Sequence, residues 1–181
     1  MHDAYTYVTT TDGAAAAREL REAGAVVVGA WRGAGSIGWW DDEVAVLAGW
    51  PKGTEHGAVA GERLRATARP TEIAPLAGGG VFAHRWMHID PEHWVEVLEL
   101  STGAWPAFES EYGATIEAFL RSDDGDRVLL ITRYPSVAVW ETSRGIGRGA
   151  GDDAKEAARR FMRRRELTER TIVRIGTLVE I

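Results

Sequence analysis

Residues 23–51 read AGAVVVGAWRGAGSIGWWDDEVAVLAGWP, and residues 112–135 read YGATIEAFLRSDDGDRVLLITRYP. In each, Gly-Ala opens an apolar run that reaches an aromatic residue, Trp31 or Phe119. A polar, glycine-containing loop follows, and a second apolar run ends in aromatic-proline, Trp50-Pro51 or Tyr134-Pro135. Runs of this length, bounded by Gly and Pro, read as strands joined by hairpins. Each pair is preceded by a strand and a helix. YTYVTT (5–10) leads into a helix over 13–22 capped by Asp12, and VFAHRWMHI (81–89) leads into one begun by Asp90-Pro91. Downstream, the first half shows a weak helical stretch over about 54–66 and a poor strand at 71–76, interrupted by Pro75. The second half shows a helix over about 152–166 and a strand from Thr171 to Glu180.

Both halves therefore read β-α-β-β-α-β, the ferredoxin-like unit. The expected fold class is α+β: repeat one over residues 1–77, a glycine linker at 78–80, and repeat two over 81–181. A lone unit leaves one sheet face bare, and an apolar face needs a partner layer. Two units packed face to face supply it, with helices outside and an enclosed space between the sheets.

Bulk properties narrow the function. The 181 residues are 45% hydrophobic and 27% charged, as in ordinary globular proteins. A net charge of −6 argues against a nucleic-acid surface. The run Arg159, Arg160, Arg163, Arg164 and Arg165 lies among Glu156, Glu166 and Glu169 and reads as a solvated helix face. With no cysteine, disulfides, zinc–thiolate sites and thiol nucleophiles are excluded. Neither a signal peptide nor an apolar run of membrane-spanning length is visible, so the expected location is cytoplasmic. The eight tryptophans fit a large core or the lining of a pocket for a flat apolar ligand.

The second repeat resembles the NIPSNAP-type domains of the dimeric α/β barrel superfamily. The resemblance covers about 81–178 and rests on His84-Arg85-Trp86, Ile89-Asp90-Pro91, Leu98, Leu100, Trp105, Pro106, Tyr112-Gly113, Phe119 and Tyr134. Ala83 and Met87 stand where that family carries an acidic and an aromatic residue. Relatives with this barrel include antibiotic-biosynthesis monooxygenases, isomerases, cyclases and haem-binding enzymes. The resemblance implies a small-molecule site, and a haem ligand taken from outside the central strands would be His56.

Alternation along 81–89 puts Phe82, His84, Trp86 and His88 on one face and Ala83, Arg85 and Met87 on the other. The histidine face is expected inward, although the family likeness points Arg85 inward. His84 and His88 sit ~13 Å apart along a strand, too far to share one metal ion. His84 then reads either as a general acid or base or as a hydrogen-bonded lining residue. Arg133 reads as an anchor for a carboxylate or enolate, or as half of a salt bridge. Phe82, Trp86, His88, Tyr134 and Trp50 are expected to line the same space. Trp39 and Trp40, in a hairpin loop five residues longer than its counterpart, are expected as a lid. Gly33-Ala34-Gly35-Ser36-Ile37-Gly38 matches G-x-G-x-x-G, but a strand rather than a helix follows, so it reads as a hairpin loop.

The expectation is an enzyme that binds a hydrophobic small molecule and performs proton-transfer, cyclisation or oxygenation chemistry without metal or organic cofactor. The alternatives are a haem-binding barrel and a non-catalytic binding or assembly module. A homodimer is the expected protein partner, with neither nucleic acid nor membrane involved.

Overall fold

The computed structural model describes residues 3–34, 42–52, 54, 59–145 and 151–181. Eight strands are described: β1 (Ala4–Thr10), β2 (Val26–Gly33), β3 (Val44–Trp50), β4 (Glu62–Arg69), β5 (Val81–Ile89), β6 (Thr115–Ser122), β7 (Arg127–Tyr134) and β8 (Thr168–Leu178). Four α-helices accompany them: α1 (Gly13–Glu22), α2 (Trp94–Tyr112), α3 (Val137–Ser143) and α4 (Asp152–Glu166). The strands form a closed antiparallel barrel in the order β1-β3-β2-β8-β5-β7-β6-β4, and β4 returns to β1. Closure leaves no strand edge to solvent, which removes the usual liability of open sheets.

Within that ring the first four strands run β4-β1-β3-β2 and the last four run β8-β5-β7-β6. The registers correspond as well. Ala4 lies opposite Trp50, and Val81 lies opposite Tyr134. Counting along the strands from those pairs sets Thr6 with Ala83, Tyr7 with His84 and Val8 with Arg85. The joins are made by β2 with β8 and by β4 with β6.

Local chemistry explains the helix starts. Asp12 accepts a hydrogen bond from the Ala15 amide at 2.9 Å, and Asp90 accepts one from Glu92 at 2.9 Å. α2 runs unbroken through Gly103 and Pro106. Ser101 and Thr102 donate to the Val97 and Leu98 carbonyls in the turn before it. Gly113 closes α2 with φ of 57°, the left-handed conformation that glycine adopts without a Cβ clash.

Two expectations fail in the first half. Residues 62–69 are strand β4, where part of a helix over 54–66 was expected. In ERLRATAR, Leu64 and Ala66 are buried and alternate with Arg63, Arg65 and Thr67, a period of two that outweighs the helix-forming residues. No second helix occurs in this half among the described residues. Residues 71–76 form no strand; Pro75 interrupts them, and Ile73 and Leu76 pack against the barrel interior. In the second half α3 is an additional helix, capped by Ser136.

Side chains fill three layers. Tyr5, Trp31, Leu47, Leu64, Phe82, Leu129 and Ile131 pack inside the barrel. α1 covers the outer face of β1–β3, where Ala17, Leu20, Val44, Val46 and Trp50 meet. α2, α3 and α4 cover the outer face of β5–β8, with Ala83, Met87, Val97, Trp105 and Phe108 beneath them. Among the described residues the middle of the barrel is filled by side chains rather than open: Trp31, Leu47, Phe82, His84 and Leu129 are each 0% exposed. An eight-stranded barrel is just narrow enough for side chains to fill. Among the described residues, no helix is long and apolar enough to cross a membrane.

Candidate functional site

The expected site residues fall in different places. Phe82, His84 and Trp86 face the barrel interior. Tyr7 Oη and His84 Nδ1 share a hydrogen bond at 3.0 Å, and the Tyr7 ring meets the Trp86 ring edge-on at 5.4 Å. Burial, reinforced by Arg174, lowers the His84 pKa to about 3, so the imidazole is neutral at physiological pH. Trp86 and His88 reach the barrel mouth, where a cleft of about 320 Å³ also touches Tyr7, Thr9, Arg127 and Arg174. Both arginines are engaged there: Arg127 with Glu62 at 2.6 Å, and Arg174 with both Glu43 oxygens at 3.2 Å.

Arg133 lies toward the other end of β7, with its Nε 2.7 Å from Glu117. Trp50 and Tyr134 do not line the barrel, contrary to expectation. Trp50 lies under α1 and donates Nε1–H to Thr6 Oγ1 at 2.8 Å. Tyr134 lies under α2. Strand alternation decides this: Arg133 and Tyr134 are adjacent, so their side chains leave opposite faces. Trp39, Trp40, His56 and Gly35–Gly38 lie outside the described residues.

A second space forms outside the barrel, between β5, β7 and β8 and helices α2, α3 and α4. Its volume is about 450 Å³, within the range of small-molecule sites. About half of its wall is apolar: Ala83, Met87, Trp105, Phe108, Ile116, Leu130, Phe161 and Val173 among others. Its polar groups are Arg85, Arg144, Arg164, Arg165, Tyr134, Ser143 and a few threonines, and no Asp or Glu lines it. Arg164 is 8% exposed; its Nη1 donates to Ser101 Oγ at 3.1 Å. Neither Arg164 nor Arg85 has an ion-pair partner among the described residues. Burial, with Arg85 nearby, lowers Arg164 to about 9, still cationic at neutral pH. Burial also lowers Arg85, with Arg144 adding to it, and raises Tyr134. The Trp105 indole N–H is buried and unbonded among the described residues.

A buried cation with no counter-charge typically costs about 3–5 kcal/mol relative to a paired one. Arg164 in that position, with the half-buried Arg85 beside it, makes the cavity a place where an anion is stabilised on entry. Arg164 was hidden in the arginine run, which reads as uniformly solvated. Helical spacing separates it: Ala154, Ala157, Phe161 and Arg164 follow one another at intervals of three or four along the inward face of α4. Arg159, Arg160 and Arg163 instead face carboxylates.

For haem, the axial bond usually falls to histidine, cysteine, methionine or tyrosine. Among the described residues no histidine lines this pocket, although Met87, Met162 and Tyr134 do; His84 is in the barrel, His88 at its mouth and His93 in the turn before α2. Among the described residues, no group of three or more His, Asp or Glu side chains could hold a metal ion.

No family model and no curated protein matches the chain. Solved structures do. A ferredoxin-fold protein from Listeria monocytogenes, related to antibiotic biosynthesis monooxygenases, aligns over 99% of this chain and 96% of its own, with TM-score 0.61 and 13% identity. An anthrone oxidase-like protein aligns over 99% and 92%, with TM-score 0.60 and 14% identity. A haem-degrading enzyme from Listeria monocytogenes aligns over 94% and 97%, with TM-score 0.53 and 11% identity. The chain shares the fold of these proteins: an α+β, ferredoxin-like barrel. At such identities the likeness speaks to architecture, because one fold hosts many chemistries.

Proposed function

We propose that the protein is a small-molecule enzyme that binds an apolar, aromatic substrate in its acidic or enolic form, in the pocket between the second-half sheet and its helices. The observation that carries this reading is the buried Arg164 beside the half-buried Arg85, with no described carboxylate lining the pocket and aromatic and aliphatic side chains between them. Such a pocket favours the anion of a phenol, enol or carboxylic acid over its neutral form, because fixed positive charge in a poorly solvated site stabilises developing negative charge. Among the described residues no histidine or carboxylate lines the pocket to take the proton, so it passes to water at the mouth. The resulting electron-rich anion is the species that isomerises, cyclises or reacts with dioxygen, and the last of these agrees with neighbours described as anthrone oxidase-like and monooxygenase-related.

In this reading Tyr134, its O–H close to Ser143 and Thr132, is a neutral hydrogen-bond donor beside the anion. His84 belongs to the packed interior and Arg133 to its Glu117 pair, so neither touches the substrate. The matching strand orders and registers support a tandem pair of ferredoxin-like repeats, and the motifs around His84-Arg85-Trp86 are what make the second NIPSNAP-like in this reading. Pairing of two chains into a homodimer belongs to the same reading, and native mass spectrometry measures it.

The test uses 2-naphthol, whose absorption differs between phenol and phenolate. At pH 7 the protein is expected to bring up the naphtholate band, and Arg164→Met to lose it. Binding with no naphtholate, or no binding, overturns the proposal.

A further inference from the structure

The arginines around the pocket form two tiers. Arg164 lies buried at its inner end with Arg85 half-buried beside it, whereas Arg144 and Arg165 are exposed at its rim. Arg144 is held in place by stacking over the Trp140 ring, 5.2 Å from its centroid. Pairing divides α4 in the same way. Arg159 and Arg160 pair with Glu156, and Arg163 pairs with Glu96 and Glu166. Arg164 and Arg165 have no ion-pair partner among the described residues, and neither do Arg85 and Arg144. The chain carries 27 acidic and 21 basic residues, so carboxylates are not scarce. Four arginines nonetheless surround one cavity that no described carboxylate lines.

Resting on the reading above, we propose that the ligand is two-headed: an aromatic body with one acidic oxygen at Arg85 and Arg164 and a second anionic group at Arg144 and Arg165. The apolar walls between the tiers, Phe108, Leu130 and Phe161 among them, suit the flat body. The inner pair acts where solvent is largely excluded and so resists salt. The rim pair acts across water and is screened within about 8 Å at physiological ionic strength. The inner group therefore sets whether the ligand binds, and the outer group sets which acid is preferred.

Calorimetric titration with 2-naphthoate and with naphthalene-2,6-dicarboxylate separates the two claims. The diacid is expected to bind at least tenfold more tightly at 20 mM salt, with the margin shrinking as salt is raised. The double variant Arg144→Gln, Arg165→Gln changes exposed residues and is expected to bring the ratio close to one. A diacid that binds no better than the monoacid overturns the two-headed ligand while leaving the anion pocket standing. Failure of both acids to bind overturns both. A preference that survives the double variant places the second group elsewhere and overturns the assignment to the rim.

Discussion

The outer faces of the two half-barrels have corresponding registers and opposite contents. Under α1, Trp50 fills the space over its strand, Val8 lies beside it, and Thr6 accepts the indole N–H. Under α2–α4, Tyr134 stands where Trp50 does, Arg85 where Val8 does and Ala83 where Thr6 does. The first face is a closed core and the second holds a cavity with charge in it. One ten-residue helix closes the first, while three helices arch over the second. The same strand geometry thus serves packing on one side and recognition on the other, and a handful of side chains make the difference.

The largest effect expected from that contrast is in stability. Trp50→Ala should cost about 3–5 kcal/mol in urea unfolding, the range for truncating a buried aromatic. Tyr134→Ala, beside an existing cavity, should cost less than half as much. Equal losses would mean that the second face is packed as tightly as the first. Next comes a swap toward the first face. Arg85→Met removes a half-buried charge with no ion-pair partner among the described residues and should raise stability by about 1 kcal/mol, the low end for replacing desolvated ions with apolar side chains, while naphthoate affinity falls at least tenfold. A destabilised Arg85→Met protein would show that Arg85 has a counter-charge.

His84 gives a pH test of the packed interior between these faces. Its pKa falls from 6.5 to about 3 on folding, so between those values the unfolded chain holds the extra proton. Stability tied to the neutral imidazole is complete above pH 6.5 and is lost as pH falls toward 3. From pH 6.5 to 5 the loss should be about 2 kcal/mol. His84→Phe should flatten that slope, and an unchanged slope would mean the imidazole titrates normally. The smallest effects sit at the helix caps. Asp12→Ala, at the start of the helix that closes the first face, should cost about 1 kcal/mol. Ser136→Ala, with its longer 3.3 Å bond at the pocket's border, should cost about half that.

Much of this architecture is legible in the sequence. The paired hairpins at 23–51 and 112–135 carry seven-residue or longer strands ending in aromatic-proline, and those strands sit where the pattern puts them. The histidine face of 81–89 is inward because its opposite face, Ala83, Met87 and Ile89, packs under helices. β4 was obscured because Arg and Ala favour helix locally while alternation decides the pairing. The pocket was obscured for a different reason. Arg164 differs from its neighbours only in the direction it points, and a run of five arginines in seven residues masks that direction until helical phase is applied. Tyr134 and Trp50 share aromatic-proline endings, yet what lies over them is set by helices distant in sequence.

The central claim is that charge, rather than greasiness, selects the occupant of the second face. Calorimetric titration of wild-type protein with 2-naphthoate and with its uncharged methyl ester tests this most directly. The account predicts that the acid binds at least tenfold more tightly than the ester and that Arg164→Met erases the gap. Equal affinities for acid and ester would contradict it.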